Sequence, residues 1–286
     1  MERLTAVCVG SKVLEYSGSM PISIIKAFDN VVYAKTSKSH LLVITSGSKR
    51  SDITVNVDAP KGLQNYLIEG EQLSLIDNSM VGRYADIILS ENTYRGGLAK
   101  GDKNALLSCR EELVKAATLL SILAPQDAIC DSKGRFFESY KRAINLLSLD
   151  NIHQPLLENI GLGSGLTPSF DDFASGFLAI YNNYARLFGR ERIILSRNLI
   201  LKRTSWLSGS ILDYAQHGIV DEDVAHVINS ISRGDKNFLL NIQELTIKGH
   251  TSGVDTATGI VVAAALLMGS EARGFMYDIM RILGLT

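Results

Sequence analysis

The amino-acid sequence predicts an α+β protein in which a β-rich N-terminal module, residues 1–100, is followed by a larger, mostly α-helical module, residues 101–286. Before residue 97, short runs rich in Val, Ile and Tyr are separated by clusters of Ser, Gly, Asn and Asp, which is typical of strands and turns. From residue 102 onward, Leu and Ala recur at helical spacing. A glycine-rich connector, residues 96–101, lies between the two patterns.

The first module is predicted to contain strands at residues 5–10, 30–36, 40–45, 53–57 and 85–90. The segment 40–45 is continuously apolar rather than alternating, which favours a strand in the interior of the sheet.

The second module begins with a helical run of apolar residues over 106–123, which Pro125 ends. Further helices are predicted at residues 136–149, 168–188, 191–216, 221–231, 236–246, 255–268 and 271–283.

The composition indicates a soluble cytoplasmic protein. The chain has 286 residues, is 46% hydrophobic and carries a net charge of −1, so there is no basic excess for binding nucleic acid or an anionic membrane. The three cysteines, Cys8, Cys109 and Cys130, form no CxxC pair, which argues against a zinc site or a disulfide framework and favours a reducing compartment. The first residues lack signal-peptide order, and the longest apolar run, 260–268, is too short to span a bilayer.

The most informative segment is the glycine loop at residues 161–172, Gly-Leu-Gly-Ser-Gly-Leu-Thr-Pro-Ser-Phe-Asp-Asp, which leads into an apolar helix. Thr167 is predicted to be the N-cap and Pro168 the first helical residue, so that free helix N–H groups favour an anion. Asp171 and Asp172 lie at the head of a helix that is apolar on every side, and there they need partners or a cation. An alternative for either one is compensation of the helix dipole. The residues of this loop predicted to bind substrate are Gly163, Gly165, Thr167 and Ser169.

A second glycine loop, residues 249–259, also leads into an apolar helix. In both segments an aspartate precedes a glycine by four residues, in the pairs Asp172/Gly176 and Asp255/Gly259. A glycine at that spacing lets another backbone pack closely, so the two helices are predicted to pack together with their N-termini at a shared pocket. Asp255 has the alternative of being only a cap residue. The residues of this loop predicted to bind substrate are Thr251, Ser252 and Gly253. His250 is the predicted acid or base, with a solvated loop residue as the alternative.

A third segment places Thr204 and Ser208 one turn apart on a predicted helix. They are predicted to contact substrate, with helix packing by their hydroxyls as the alternative. Lys202 and Arg203 precede them and are the nearest basic residues for a bound anion. The sequence contains no dinucleotide fingerprint, P-loop, nucleophile elbow or HExxH motif.

The two glycine loops and the segment 204–218 resemble the hallmark segments of a bacterial family that includes AllH, a subunit of the anaerobic oxamate carbamoyltransferase. The resemblance extends over about residues 155–265. It implies phosphorolysis of oxalurate to oxamate and carbamoyl phosphate, a step of allantoin degradation in purine catabolism. It also implies partner subunits that act together with this chain, and a homo-oligomer is a further expectation.

The residues are compatible with that chemistry. Helix N-termini after Thr167 and Gly253 would hold a small anionic substrate and polarise its carbonyl. The aspartates Asp171, Asp172 and Asp255 are the predicted catalytic carboxylates. They would accept ureido N–H bonds or hold Mg²⁺, the only cofactor that the sequence suggests. Two classes of function stay open: a catalytic carbamoyl-transferring subunit, and a non-catalytic subunit that binds a metabolite or serves assembly.

Overall fold

A computed structural model describes residues 2–16, 20–247, 249–269 and 274–286. The chain forms two compact units, residues 1–96 and 97–286. The first unit is rich in strands and the second is helical, so the predicted α+β class is confirmed.

The N-terminal unit is a sheet that closes on itself. Its strands are β1 Glu2–Gly10, β2 Met20–Ala27, β3 Val31–Thr36, β4 Leu41–Thr45, β5 Thr54–Val57, β6 Gln72–Ile76, β7 Ser79–Val81, β8 Ala85–Ile88 and β9 Thr93–Tyr94. The order β5-β4-β3-β2-β6-β7-β8-β1 is completed by a β1–β5 pairing, so the described residues form an eight-stranded barrel, and β9 pairs with the end of β1. The β4–β5, β1–β8 and β1–β9 pairs are parallel, and the other pairs are antiparallel. Closure leaves these eight strands without a free edge.

The interior of the barrel is apolar. The interior position predicted for residues 40–45 agrees with β4, which pairs with β3 on one side and β5 on the other and has Leu41, Leu42 and Ile44 fully buried. Four strands lie outside the predicted segments: β2, which contains Pro21, and β6, β7 and β9.

The helices of the second unit surround two that are buried along almost their whole length, α6 and α11. The α-helices of the described residues are α1 Ser11–Leu14, α2 Lys103–Ser108, α3 Arg110–Leu123, α4 Phe137–Asn145, α5 His153–Asn159, α6 Ser169–Tyr184, α7 Arg197–Ile200, α8 Trp206–Gln216, α9 Glu222–Arg233, α10 Phe238–Thr246, α11 Ser252–Met268 and α12 Phe275–Ile282. A helix that is apolar all round belongs in a core, as α11 does. None of the described helices is long and apolar enough to cross a membrane.

Two helix starts are corrected. Pro168, not Thr167, is the N-cap of α6. The helix predicted from Asp255 begins three residues earlier, at Ser252. The start predicted at residue 271 for the last helix lies outside the described residues.

The single helix predicted over residues 191–216 is wrong, because residues 190–196 are irregular and α7 and α8 are separate. Two buried side-chain amides hold the irregular segment. Asn182 exchanges hydrogen bonds with the backbone of Ile193 (2.7 and 2.8 Å), and Gln216 does so with Leu195 (2.8 and 3.2 Å). These bonds satisfy backbone groups that a helix would otherwise pair.

Candidate functional site

Helices α6 and α11 pack in direct backbone contact through glycines. A Cβ on Gly176 would lie 2.1 Å from the carbonyl oxygen of Thr256, and one on Gly259 would lie 2.0 Å from that of Phe173. A side chain at either glycine would therefore push the helices apart. The predicted glycine-mediated packing of these two helices is confirmed.

The two glycine loops meet where these helices begin. The Thr167 and Ser252 hydroxyls, 85 positions apart in the chain, lie 3.4 Å from each other. Ser169 Oγ and Thr251 Oγ1 are separated by 3.4 Å as well. The N-termini of α6 and α11 are therefore adjacent, and their dipoles act on the same region.

The first glycine loop exposes unpaired amide groups. Gly161, Gly163 and Gly165 have φ values of +88°, +125° and +96°, a region that favours glycine. Among the described residues, the N–H groups of 163–167 and of Ser169 donate to no protein acceptor, and neither do those of 252–254. We refer to these N–H groups as the amide rim, and such groups at helix N-termini favour anions.

Asp171 connects the first loop to α8. This carboxylate is 2% exposed and accepts hydrogen bonds from Gly161 N (2.6 Å), Thr204 Oγ1 (2.5 Å) and Ser208 Oγ (2.6 Å). Burial raises its pKa, and these three hydrogen bonds oppose the rise. Since Thr204 and Ser208 donate their hydroxyl hydrogens to Asp171, the geometry supports the helix-packing alternative for both.

Asp172 points to the other side of α6, toward α11. Its Oδ2 accepts a hydrogen bond from Thr167 Oγ1 at 3.1 Å, and the residue is 6% exposed. Burial raises the pKa of Asp172 to about 8, and the charge of Asp255 adds to the rise, while the Ser252 and Thr167 hydroxyls oppose it. A carboxyl with this pKa is largely protonated at neutral pH.

Asp255 is fully buried and incompletely paired. Its Oδ1 accepts a hydrogen bond from Ile129 N at 2.7 Å, whereas its Oδ2 has no partner with hydrogen-bond geometry among the described residues. Burial raises the pKa of Asp255 to about 7; the Ile129 N–H and the nearby hydroxyls of Ser169 and Thr251 oppose the rise. A native structure rarely leaves such an oxygen unpaired, so a functional explanation is worth seeking.

The loop between α3 and α4 supplies residues that sequence reasoning missed. Ile129 N–H holds Asp255, and the carbonyl oxygen of Asp127 lies 3.4 Å from Ser169 Oγ. Tyr140, on α4, is fully buried with a hydroxyl that lacks a partner among the described residues. Burial raises the pKa of Tyr140 to about 12. In the sequence Tyr140 is one aromatic residue on an apolar helix face, and nothing there indicates its proximity to the glycine loop.

A cleft of about 370 Å³ lies on the α8 side of the first loop. It is lined by Gly161, Gly165, Leu166, Pro168, Lys202, Arg203, Thr204 and Ser205. Lys202 and Arg203 are exposed, and Arg203 Nη1 donates to the carbonyl oxygen of Glu158 at 3.0 Å. This lining contains two cations and no carboxylate, which favours an anion. The second glycine loop contributes no residue to the lining.

His250 lies in the turn before α11, is exposed, and makes no hydrogen bond or ion pair with any described residue. Within the described ranges, no group of three or more His, Cys, Asp or Glu side chains is arranged to hold a metal ion. Asp171, Asp172 and Asp255 are thus not brought together as one metal-binding set, because Asp171 is directed to α8 and Asp255 to the loop before α4.

Comparison with known proteins agrees with the resemblance seen in the sequence. Residues 159–264 match the family model described as oxamate carbamoyltransferase subunit AllH. The matched segment contains both glycine loops and α8, and it lies wholly within the helical unit. No solved structure matches the chain.

Proposed function

We propose that this chain is a subunit of an oxamate carbamoyltransferase-type enzyme and that it binds a small anionic ligand where the N-termini of α6 and α11 meet. The reaction is oxalurate and phosphate to oxamate and carbamoyl phosphate. The observation that carries the proposal is the meeting of the two loops at hydroxyl-to-hydroxyl distances of 3.4 Å, within the segment that matches the family. This arrangement combines an amide rim with buried carboxyls.

The anionic parts of the ligand are held without a dedicated ion pair. The amide rim provides donors from two helix N-termini, and such groups stabilise both a bound phosphate or carboxylate and the oxyanion that forms during carbonyl attack. Lys202 and Arg203 add positive charge in the neighbouring cleft. Because two anions must approach each other in this reaction, holding them in position contributes much of the rate.

The two buried carboxyls supply acid–base chemistry. A phosphate oxygen bonds to the terminal carbamoyl carbon of oxalurate, and the bond from that carbon to the oxamate nitrogen breaks. The departing nitrogen takes a proton, and the phosphate loses one. Asp172, with its pKa raised to about 8, is the proton donor, and it recovers a proton from the attacking phosphate. Asp255 accepts a ureido N–H bond through Oδ2, because its Oδ1 already accepts from Ile129 N–H.

The N-terminal barrel lies outside the matched segment, and its proposed role is to bind partner subunits. A purely binding or assembly role for the whole chain is the second candidate. It is favoured by the full burial of Asp255 and by the lack of contact between His250 and any described residue.

The test is reconstitution. The purified chain is assayed for phosphate-dependent formation of carbamoyl phosphate from oxalurate, alone and with candidate partner subunits. Asp172→Asn and Asp255→Asn should each reduce turnover at least about 100-fold, as expected for loss of an acid–base group. Asp150→Asn is the matched control, since this aspartate is 89% exposed. Wild-type turnover in both variants would refute the catalytic roles assigned to Asp172 and Asp255. Ligand binding without turnover in any reconstituted mixture would favour the second candidate.

A further inference from the structure

We infer that Tyr140 and Asp255 together recognise the carbamoyl group of the ligand, with the Tyr140 hydroxyl donating to its carbonyl oxygen and Asp255 Oδ2 accepting from its amide nitrogen. The inference rests on the proposed function and deepens it, because it specifies how the ligand is oriented and what the site discriminates against. Tyr140 thereby becomes a further catalytic residue.

The first support is a pair of buried polar atoms that have no partner among the described residues. Both Tyr140 and Asp255 are 0% exposed, yet the Tyr140 hydroxyl and Asp255 Oδ2 have no partner with hydrogen-bond geometry there. The Ser169 hydroxyl is near enough to lower the pKa of both groups without meeting that geometry. Buried polar atoms in native proteins are nearly always paired, with protein, water or ligand. The two atoms belong to the same cluster at the N-termini of α6 and α11, around Ser169.

The geometry around Gly163 provides the second support. The position that a Cβ on Gly163 would occupy lies 2.8 Å from the Tyr140 hydroxyl oxygen and 2.7 Å from Ser169 N. The hydroxyl and the unpaired amide of Ser169 therefore both lie against Gly163, where any side chain would collide with them. Two donors that close to one backbone position suit a carbonyl oxygen, as in an oxyanion hole.

The acceptors lie around the Ser169 hydroxyl. Its hydroxyl is 3.4 Å from both the Asp127 carbonyl oxygen and Thr251 Oγ1, beside Asp255. Ile129 N–H fixes Asp255 Oδ1 as an acceptor, so Oδ2 is the oxygen left for a ligand. Asp255 Oδ2 and the Asp127 carbonyl oxygen together suit the two N–H bonds of a primary amide.

This arrangement of donors and acceptors is complementary to a carbamoyl group, and it disfavours the binding of an anion at the same position. A carboxylate or phosphate placed against Asp255 would meet a buried negative charge, so the anionic end of the ligand must face the amide rim. The carbamoyl end consequently lies inward. Since both recognising atoms are fully buried, its entry requires displacement of the first glycine loop, whose residues 164–166 are exposed.

Oxamate and pyruvate provide the test. Both carry a carboxylate next to a carbonyl, and they differ only in that the NH2 of oxamate is a methyl group in pyruvate. Titration calorimetry on the full-length chain should show oxamate binding at least about 10-fold more tightly than pyruvate, as expected for a hydrogen bond to a charged acceptor. In Asp255→Asn this preference should disappear. Ile129 N–H will keep the amide oxygen at the Oδ1 position and leave a donor at the Oδ2 position.

Tyr140→Phe should weaken both ligands about 10-fold and leave their ratio unchanged, because both have the carbonyl. Tyr184→Phe is the matched control: its hydroxyl lies 2.7 Å from Ser232 Oγ, and its loss should change neither affinity. Equal affinities in the wild-type protein, as expected if one buried water joins the two atoms, would overturn this inference and leave the proposed function standing. The comparison of oxamate with pyruvate uses the wild-type protein alone, so it does not depend on whether any variant folds. If oxamate, pyruvate and inorganic phosphate all fail to bind, both proposals fall.

Discussion

Replacing Asp172 by asparagine should stabilise the protein at pH 8 and change its stability little at pH 4. Asp172 has a pKa raised from 3.8 to about 8 in the folded protein, mainly by burial. The folded state thus retains a proton that the unfolded state releases above pH 4. The stability that this proton contributes is fully present below the unfolded pKa and is lost as the pH rises toward 8. Asparagine is neutral and similar in shape, so the variant escapes this loss.

The structure sets the size of the effect. A shift of about four pKa units corresponds to about 6 kcal/mol at about 1.4 kcal/mol per unit. At pH 5 the wild-type protein has lost only about 2 kcal/mol of this stabilisation, because the pH is about one unit above the pKa of the unfolded state. The free energy of unfolding of the variant, relative to that of the wild type, should therefore rise by up to about 4 kcal/mol between pH 5 and pH 8. This figure is an upper limit, since a folded protein relaxes around a buried charge.

Urea denaturation at pH 5, 6, 7 and 8 measures the free energies of unfolding of the wild-type protein and of Asp172→Asn. Asp150→Asn controls for the change in net charge: this exposed aspartate pairs with Arg190 at 3.1 Å, and its variant should follow the wild-type pH dependence. If the difference between Asp172→Asn and the wild type is the same at all four pH values, the assignment of a buried, protonated Asp172 is refuted.

Two further substitutions test the helix packing and the basic cleft. Gly176→Ala should lower the free energy of unfolding by about 3 kcal/mol or more in urea titrations, because its Cβ would meet the Thr256 carbonyl oxygen at 2.1 Å. Gly209→Ala, also within a helix, would meet only side-chain methyl groups, those of Leu201 at 2.8 Å and Ile200 at 3.1 Å, which can shift, so it should cost clearly less than Gly176→Ala. Equal losses would argue against close helix contact. Lys202→Gln should weaken phosphate binding about two- to five-fold in calorimetry and flatten its salt dependence. Lys115 is exposed, and Lys115→Gln should change neither the phosphate affinity nor its salt dependence. Equal effects of the two lysine substitutions on phosphate binding would exclude a specific role for the cleft.

Local patterns were sufficient to predict much of the fold. The change of apolar period near residue 100 gave the fold class, and the continuous apolar run at 40–45 gave an interior strand, observed as β4. The wrong prediction of a single helix over residues 191–216 has a tertiary cause. The amides of Asn182 and Gln216 pair with a backbone segment that is helix-compatible in composition.

The glycine loops and the buried aspartates at the heads of two apolar helices are predictable from the sequence, because glycine conformations and helical spacing are local properties. The differences among these aspartates arise from long-range packing. Asp171 is satisfied by Ser208, which is 37 positions away, whereas Asp255 is held on one oxygen by Ile129, 126 positions away, and left unpaired on the other. Tyr140 likewise acquires its place beside Gly163 only on folding. The charge state of a buried carboxyl depends on the partners that surround it, and chain packing brings those partners together from distant positions.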